Sequence, residues 1–185
     1  MAPEVNNAEV QPSLFEVIPV DDHLSQFGYR GTIACGVAGI SYRQLDYWAR
    51  TELVTPGIQV AAGSGSQRLY SFTDILVLKV VKKLLYAGVS LQNIRTAVNH
   101  LKNRGISDLS SITLMSDGAT VYECTSEQEV IDLVKGGQGV FGIALGQIWQ
   151  EIAGELALMP DASERVQESP VRDELSVRRA RRRSA

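Results

Sequence analysis

Arg43, Tyr47 and Arg50 recur at intervals of four and three residues within the segment GISYRQLDYWARTELV, residues 39 to 54. Two guanidinium groups and a phenol on one side of a helix can bond phosphate oxygens, and an arginine can also donate a pair of bonds to a guanine edge. That chemistry is the capture of a polyanion. The competing reading of the same residues is a solvated helix face with a cation–π pair. Helical spacing alone does not separate the two.

For these side chains to share a face, residues 42 to 50 must be helical. Ser41 followed by Gln44 three residues later is a capping-box signature that opens such a helix. At about 100° per residue, Leu45, Trp48 and Ala49 fall on the face opposite Arg43, Tyr47 and Arg50, so Trp48 is predicted to be core. Upstream, GTIACGVAGIS predicts a short helix that turns at Gly39. Downstream, TPGIQVAAGSGSQRLYSF predicts a strand, a Gly/Ser-rich turn and a second strand ending at Tyr70. A hairpin directly after the helix favours the polyanion reading. Ser71 caps the next helix, with Asp74 at its start and an apolar stripe from Ile75 to Leu85. Ser90 then opens LQNIRTAVNHLKNRG, whose Leu91, Ile94, Val98 and Leu101 are spaced to face inward.

The charge pattern points the same way. The formal net charge is −3, yet residues 29 to 104 hold 10 Lys/Arg against 3 Asp/Glu, while residues 1 to 28 hold 0 against 5 and residues 105 to 159 hold 1 against 8. A cationic block inside an acidic chain is the electrostatic footprint of a nucleic-acid-binding module. Residues 1 to 28 form an acidic tail, expected to be disordered around the apolar cluster LFEVI. Residues 160 to 185 form a second expected tail, and its closing arginines (178, 179 and 181 to 183) would add phosphate attraction without sequence reading.

Taken together, SYRQLDYWARTELV, a wing ending QRLY, and SFTDILVLKVVKKLLYAGVSLQNI resemble the winged helix-turn-helix domain of the MerR family of transcriptional regulators, over residues 29 to 104. Arg43, Leu45, Tyr47, Trp48, Arg68, Tyr70, Asp74, Ile75, Gly88, Ser90, Leu91 and Ile94 match the family's pattern. The resemblance implies double-stranded DNA as partner. It places Arg43 and Tyr47 at the major groove and backbone, and Arg68 and Tyr70 in the wing that touches flanking phosphates. Tyr42 and Arg50 complete the candidate DNA-binding set. Asp46 stands where the family usually has a second arginine. That removes the backbone contact expected there and leaves Arg50 to replace it in part.

Beyond residue 104 the family's long dimerising helix is absent. SSITLMSDGATVYEC predicts two strands around an Asp117-Gly118 turn, Ser126 with Glu129 caps EQEVIDLVK, and a strand GVFGIAL precedes a helix GQIWQEIAGELALM. This small α/β unit, residues 105 to 159, is similar to the short C-terminal domain of actinobacterial MerR-like regulators linked to cell-division genes. The fold class is therefore α+β, a winged helix-turn-helix domain followed by a small α/β domain. Phe141, Ile143, Leu145, Ile148, Trp149, Ile152 and Leu156 are more apolar side chains than a unit of this size buries alone, which assigns the surplus to a homodimer interface.

No catalytic, metal or cofactor residue emerges. Cys35 and Cys124 stand far apart, His23 lies in the expected acidic tail, and His100 has no nucleophile or carboxylate partner visible in sequence. Nor does the chain have an apolar run long enough for a bilayer or a signal-peptide pattern at its start, so a cytoplasmic, nucleoid-associated protein is expected. By resemblance it distorts promoter DNA for RNA polymerase. The alternative is a DNA-bending structural or adaptor protein of excisionase or nucleoid type, which would not control a promoter.

Overall fold

The computed structural model describes residues 27–59, 67–102, 104, 109–135, 141–159 and 163–165. Strand β1 (Phe27–Arg30) leads into helix α1 (Gly31–Ala38), which ends at Gly39. With φ +65° this residue is in the left-handed region, and its N–H bonds back to the carbonyls of Cys35 and Gly36. Helix α2 (Tyr42–Arg50) follows after only three residues, so α1 and α2 form a helix-turn-helix pair. Its capping box is complete: Ser41 Oγ accepts from Gln44 N–H at 3.2 Å, and Gln44 Oε1 accepts from Ser41 N–H at 2.9 Å.

At its other end α2 closes by accepting at Trp48 and Ala49 from the N–H groups of Leu53 and Glu52. Glu52 takes the left-handed φ of 58° that such a helix end requires. Strand β2 (Leu69–Tyr70) pairs antiparallel with β1, Tyr29 opposite Tyr70 and Arg30 opposite Leu69. A bridge between Gln59 and Leu69 marks the base of the expected wing. The predicted wing tip, residues 60–66, lies outside the described residues.

Helix α3 (Phe72–Tyr86) is the central element, with nine buried residues and a capping box in which Ser71 and Asp74 bond reciprocally. Helix α4 (Leu91–Lys102) lays Ile94, Val98 and Leu101 inward as its spacing predicts, whereas Leu91, expected with them, sits at the helix start and is 44% exposed. Strands β3 (Thr113–Ser116) and β4 (Val121–Cys124) flank the Asp117-Gly118 turn, and helix α5 (Glu127–Lys135) follows. Strand β5 (Phe141–Ala144) then completes a sheet of order β4-β3-β5 before helix α6 (Leu145–Ala157).

Two expectations need correction. First, the C-terminal unit does not hold its apolar residues in surplus. Ile143, Leu145, Ile148, Trp149, Ile152 and Leu156 are all buried within this one chain, in the same cluster as Leu45, Trp48 and the inner face of α3. Trp149 stacks on Phe72 with ring centroids 4.1 Å apart and planes tilted by 45°. The reason is geometric, because α6 packs across α1 and α3 and uses their outer faces as its partner. Second, the expected tails contain strand: β1 begins at Phe27, and β6 (Ser163–Arg165) returns to pair antiparallel with β1, Gly28 opposite Glu164. Strand addition of this kind is a backbone interaction, so the polar sequence around residue 164 carries no local sign of it. The remaining tail residues, including LFEVI and the closing arginines, lie outside the described residues, as do residues 136–140.

Candidate nucleic-acid interface

Burial divides α2 as its periodicity predicts. Leu45 and Trp48 are 1% and 3% exposed, whereas Tyr42, Arg43, Tyr47 and Arg50 face outward. The rings of Tyr42 and Tyr47 are 61% and 54% exposed on the same side as Arg43. Arg43, in the first turn, has no ion pair or hydrogen bond among the described residues and so offers its whole guanidinium fork outward.

The other two candidate arginines are held. Asp46 Oδ2 lies 2.9 Å from Arg50 Nε, and Asp46 Oδ1 accepts from Arg68 Nη1 at 2.9 Å. One carboxylate therefore ties the middle of α2 to the base of the wing. The Arg68 end, with side chains 24% and 29% exposed, is the firmer; the Arg50 end, with Arg50 75% exposed, is a solvated pair of small energy. From its position in the sequence alone, Asp46 is a lost phosphate contact. In the fold it orients two arginines at once.

Tyr70 is the site residue that the structure removes. It is 0% exposed, and burial pushes its hydroxyl up to about 12 against the opposing pull of Arg68. Pairing with β1 turns this ring into the core, so Tyr70 lies beneath Arg68 at the floor of the cleft beside it and does not stand out toward DNA as a wing contact. What the strand pairing adds is Arg30. Together with Thr32, Tyr42, Gln67 and Arg68 it lines a cleft of about 420 Å3 between α2 and the wing base. No sequence motif marks Arg30; only the register that sets it opposite Leu69 brings it there.

Helix α4 braces the far end of α2. Arg95 Nη1 donates to the Thr51 carbonyl at 2.6 Å, and Lys102 Nζ donates to the Leu53 carbonyl at 3.2 Å. Those cations sit where the helix dipole is negative and are occupied in structure. The cationic excess of residues 29 to 104 is thus partly internal; part of its outward share lies on α2 and the cleft beside it.

Asp46→Asn tests this division of labour. It keeps the side chain's shape while releasing both guanidinium groups toward phosphates, so affinity for scrambled duplex DNA is expected to rise. The slope of log K against log salt should steepen by about 1. Titrations at several salt concentrations measure it; an unchanged or shallower slope would show that Asp46 merely stabilises the helix.

The described residues contain no helix long and apolar enough to cross a membrane and no group of three or more metal-binding side chains. Comparison with known proteins adds identity to this geometry. Residues 29–101 match the profile of the MerR HTH family regulatory proteins. HTH-type transcriptional regulators of Mycobacterium bovis and Mycobacterium tuberculosis, both named as uncharacterised, are 65% identical over 148 residues, which is 80% of this chain and 65% of theirs. The chain thus spans less than two thirds of those relatives' length. A crystal structure of a MerR-family transcriptional regulator from Bacillus cereus covers 71% of this chain and 69% of its own, with TM-score 0.34 and 20% identity, too loose a likeness to align single residues. The helix-turn-helix pair, the base of its wing and the two helices that brace them fall within residues 29–101, the stretch that is similar to the MerR HTH family regulatory proteins.

Proposed function

We propose that the protein is a sequence-specific regulator of transcription that binds promoter DNA as a homodimer, with α2 in the major groove and RNA polymerase acting on the same DNA. The observation that carries this reading is Arg43, outward and without a partner among the described residues, in the first turn of a helix capped at one end and braced at the other. The first turn of a recognition helix is where base edges are met. Tyr42, Tyr47, Arg50 and Arg68 border it and supply the phosphate contacts that set register. Genome-wide mapping of bound sites, followed by footprinting of the strongest, tests the proposal. Few inverted repeats overlapping promoters are expected. Long head-to-tail arrays without promoter preference would overturn it in favour of a DNA-bending structural role.

Dimerisation follows from the small reach of one module, which contacts too few bases for useful specificity. With α6 buried internally, the surface that suits self-pairing is α5. It has no buried residue, and Ile131 and Val134 stand 42% and 51% exposed on one helix face. The double substitution Ile131→Asp with Val134→Asp is expected to give a folded monomer by light scattering. Its salt slope on operator DNA should be about half that of the parent, since half as many phosphates are contacted per particle. A dimeric double variant would place the pairing surface elsewhere.

A further inference from the structure

A second cavity, of about 780 Å3, lies between α3 and the segment formed by β5 and α6. Its walls differ in chemistry. On one side all four residues of β5, Phe141 to Ala144, line it. Successive side chains of a strand point to opposite faces, so a wall of four in a row is the strand's edge. In the order β4-β3-β5 that edge is outermost, and among the described residues no strand covers it. The other wall is one face of α3, where Lys79, Lys82, Lys83 and Tyr86 follow at helical spacing.

The lysines are not equivalent. Lys79 is buried and already neutralised by Glu151 at 2.9 Å and Glu155 at 3.0 Å. Lys82 and Lys83 have no ion pair among the described residues. Tyr86, 83% exposed, stands beside them with Lys82 Nζ 5.8 Å from its ring centre, and Phe141 and Ile148 supply apolar surface across the gap. Lys82 also reaches the helix-turn-helix: a methyl group placed on Gly39 would lie 2.5 Å from its Nζ.

We propose that this cavity binds an organic anion with a flat apolar body. Its acidic group would rest on Lys82 and Lys83, and its ring system would lie against Tyr86, Phe141 and Ile148. The volume is that of a small-molecule site. A cation is repelled by two free ammonium groups, and an inorganic anion would satisfy them while leaving the aromatic walls uncovered. Because Lys82 touches both the cavity and the turn before α2, occupancy bears directly on the position of the recognition helix.

The test uses the full chain, isotope-labelled, titrated with anilinonaphthalene sulfonate and, in parallel, with the uncharged N-phenyl-naphthylamine. Backbone amide signals of Ala38, Gly39, Gly142 and Gln147 are expected to move together and saturate with the sulfonate. Lys82→Gln combined with Lys83→Gln should weaken the sulfonate about tenfold or more, as expected for the loss of charged hydrogen bonds, and leave the uncharged probe within about twofold. Shifts scattered over other surfaces would overturn the site, and so would equal weakening of both probes or a sulfonate affinity unmoved by the substitutions. Should the double variant lose its dispersed spectrum, Lys83→Gln alone, at an exposed position, is expected to weaken the sulfonate selectively, and failure to do so is equally decisive.

Discussion

Trp149→Ala is expected to destabilise the whole chain, the DNA-binding domain included, by about 3 to 5 kcal/mol, the cost of emptying a core site of an indole. Trp149 lies nearly fifty residues beyond the end of the MerR-type match, yet it is 4% exposed and its ring rests on Phe72, the first residue of α3. Phe72 in turn belongs to the cluster that contains Trp48 and Leu45 of the recognition helix. For a chain of this size the loss corresponds to a fall in Tm of roughly 10 °C, and both halves should melt in one transition. Thermal unfolding followed by near-ultraviolet dichroism, beside a DNA-binding signal, reads this directly. If DNA binding and the signal of Trp48, the one tryptophan left in the variant, both survive to the parent's Tm, the two parts are separate domains. By the same physics, truncation after Arg104 strips α6 from α1 and α3 and exposes their outer faces, so the truncated chain should not be a well-folded monomer.

Arg43→Ala is the second large effect, and it should appear in recognition rather than in stability. The side chain is exposed and makes no ion pair or hydrogen bond among the described residues, so Tm should stay near the parent's. Loss of a forked contact to a base edge should cost about 1 to 3 kcal/mol on the cognate site and little on scrambled DNA, narrowing the gap between them. Competition titrations with cognate and scrambled duplexes measure that gap. If both affinities fall by the same factor, Arg43 is a phosphate contact and base reading passes to a neighbour on α2.

Much of the recognition helix was legible in the order of its residues. A capping box is a contact between positions three apart, and the division of α2 into a Leu45–Trp48 face and an Arg43–Tyr47–Arg50 face is a rotation of about 100° per residue. Both are settled within one helix, so Ser41, Gln44 and Trp48 could be placed from the chain alone. The strands β3 and β4 about Gly118, the Ile94–Val98–Leu101 stripe of α4 and the presence of α6 were legible for the same reason. Other features depend on which elements meet. Tyr70 reads as a wing residue until β2 pairs with β1 and turns its ring inward; Arg30 has no motif until that register sets it beside the cleft. Asp46 looks like a missing cation until Arg68, twenty-two residues on, folds back to it. The apolar residues of α6 look like a surplus until α1 and α3 cover them. Periodicity shows that a face is apolar but not what lies against it, because side chains distant in sequence and the pairing of strand backbones leave no trace in local spacing.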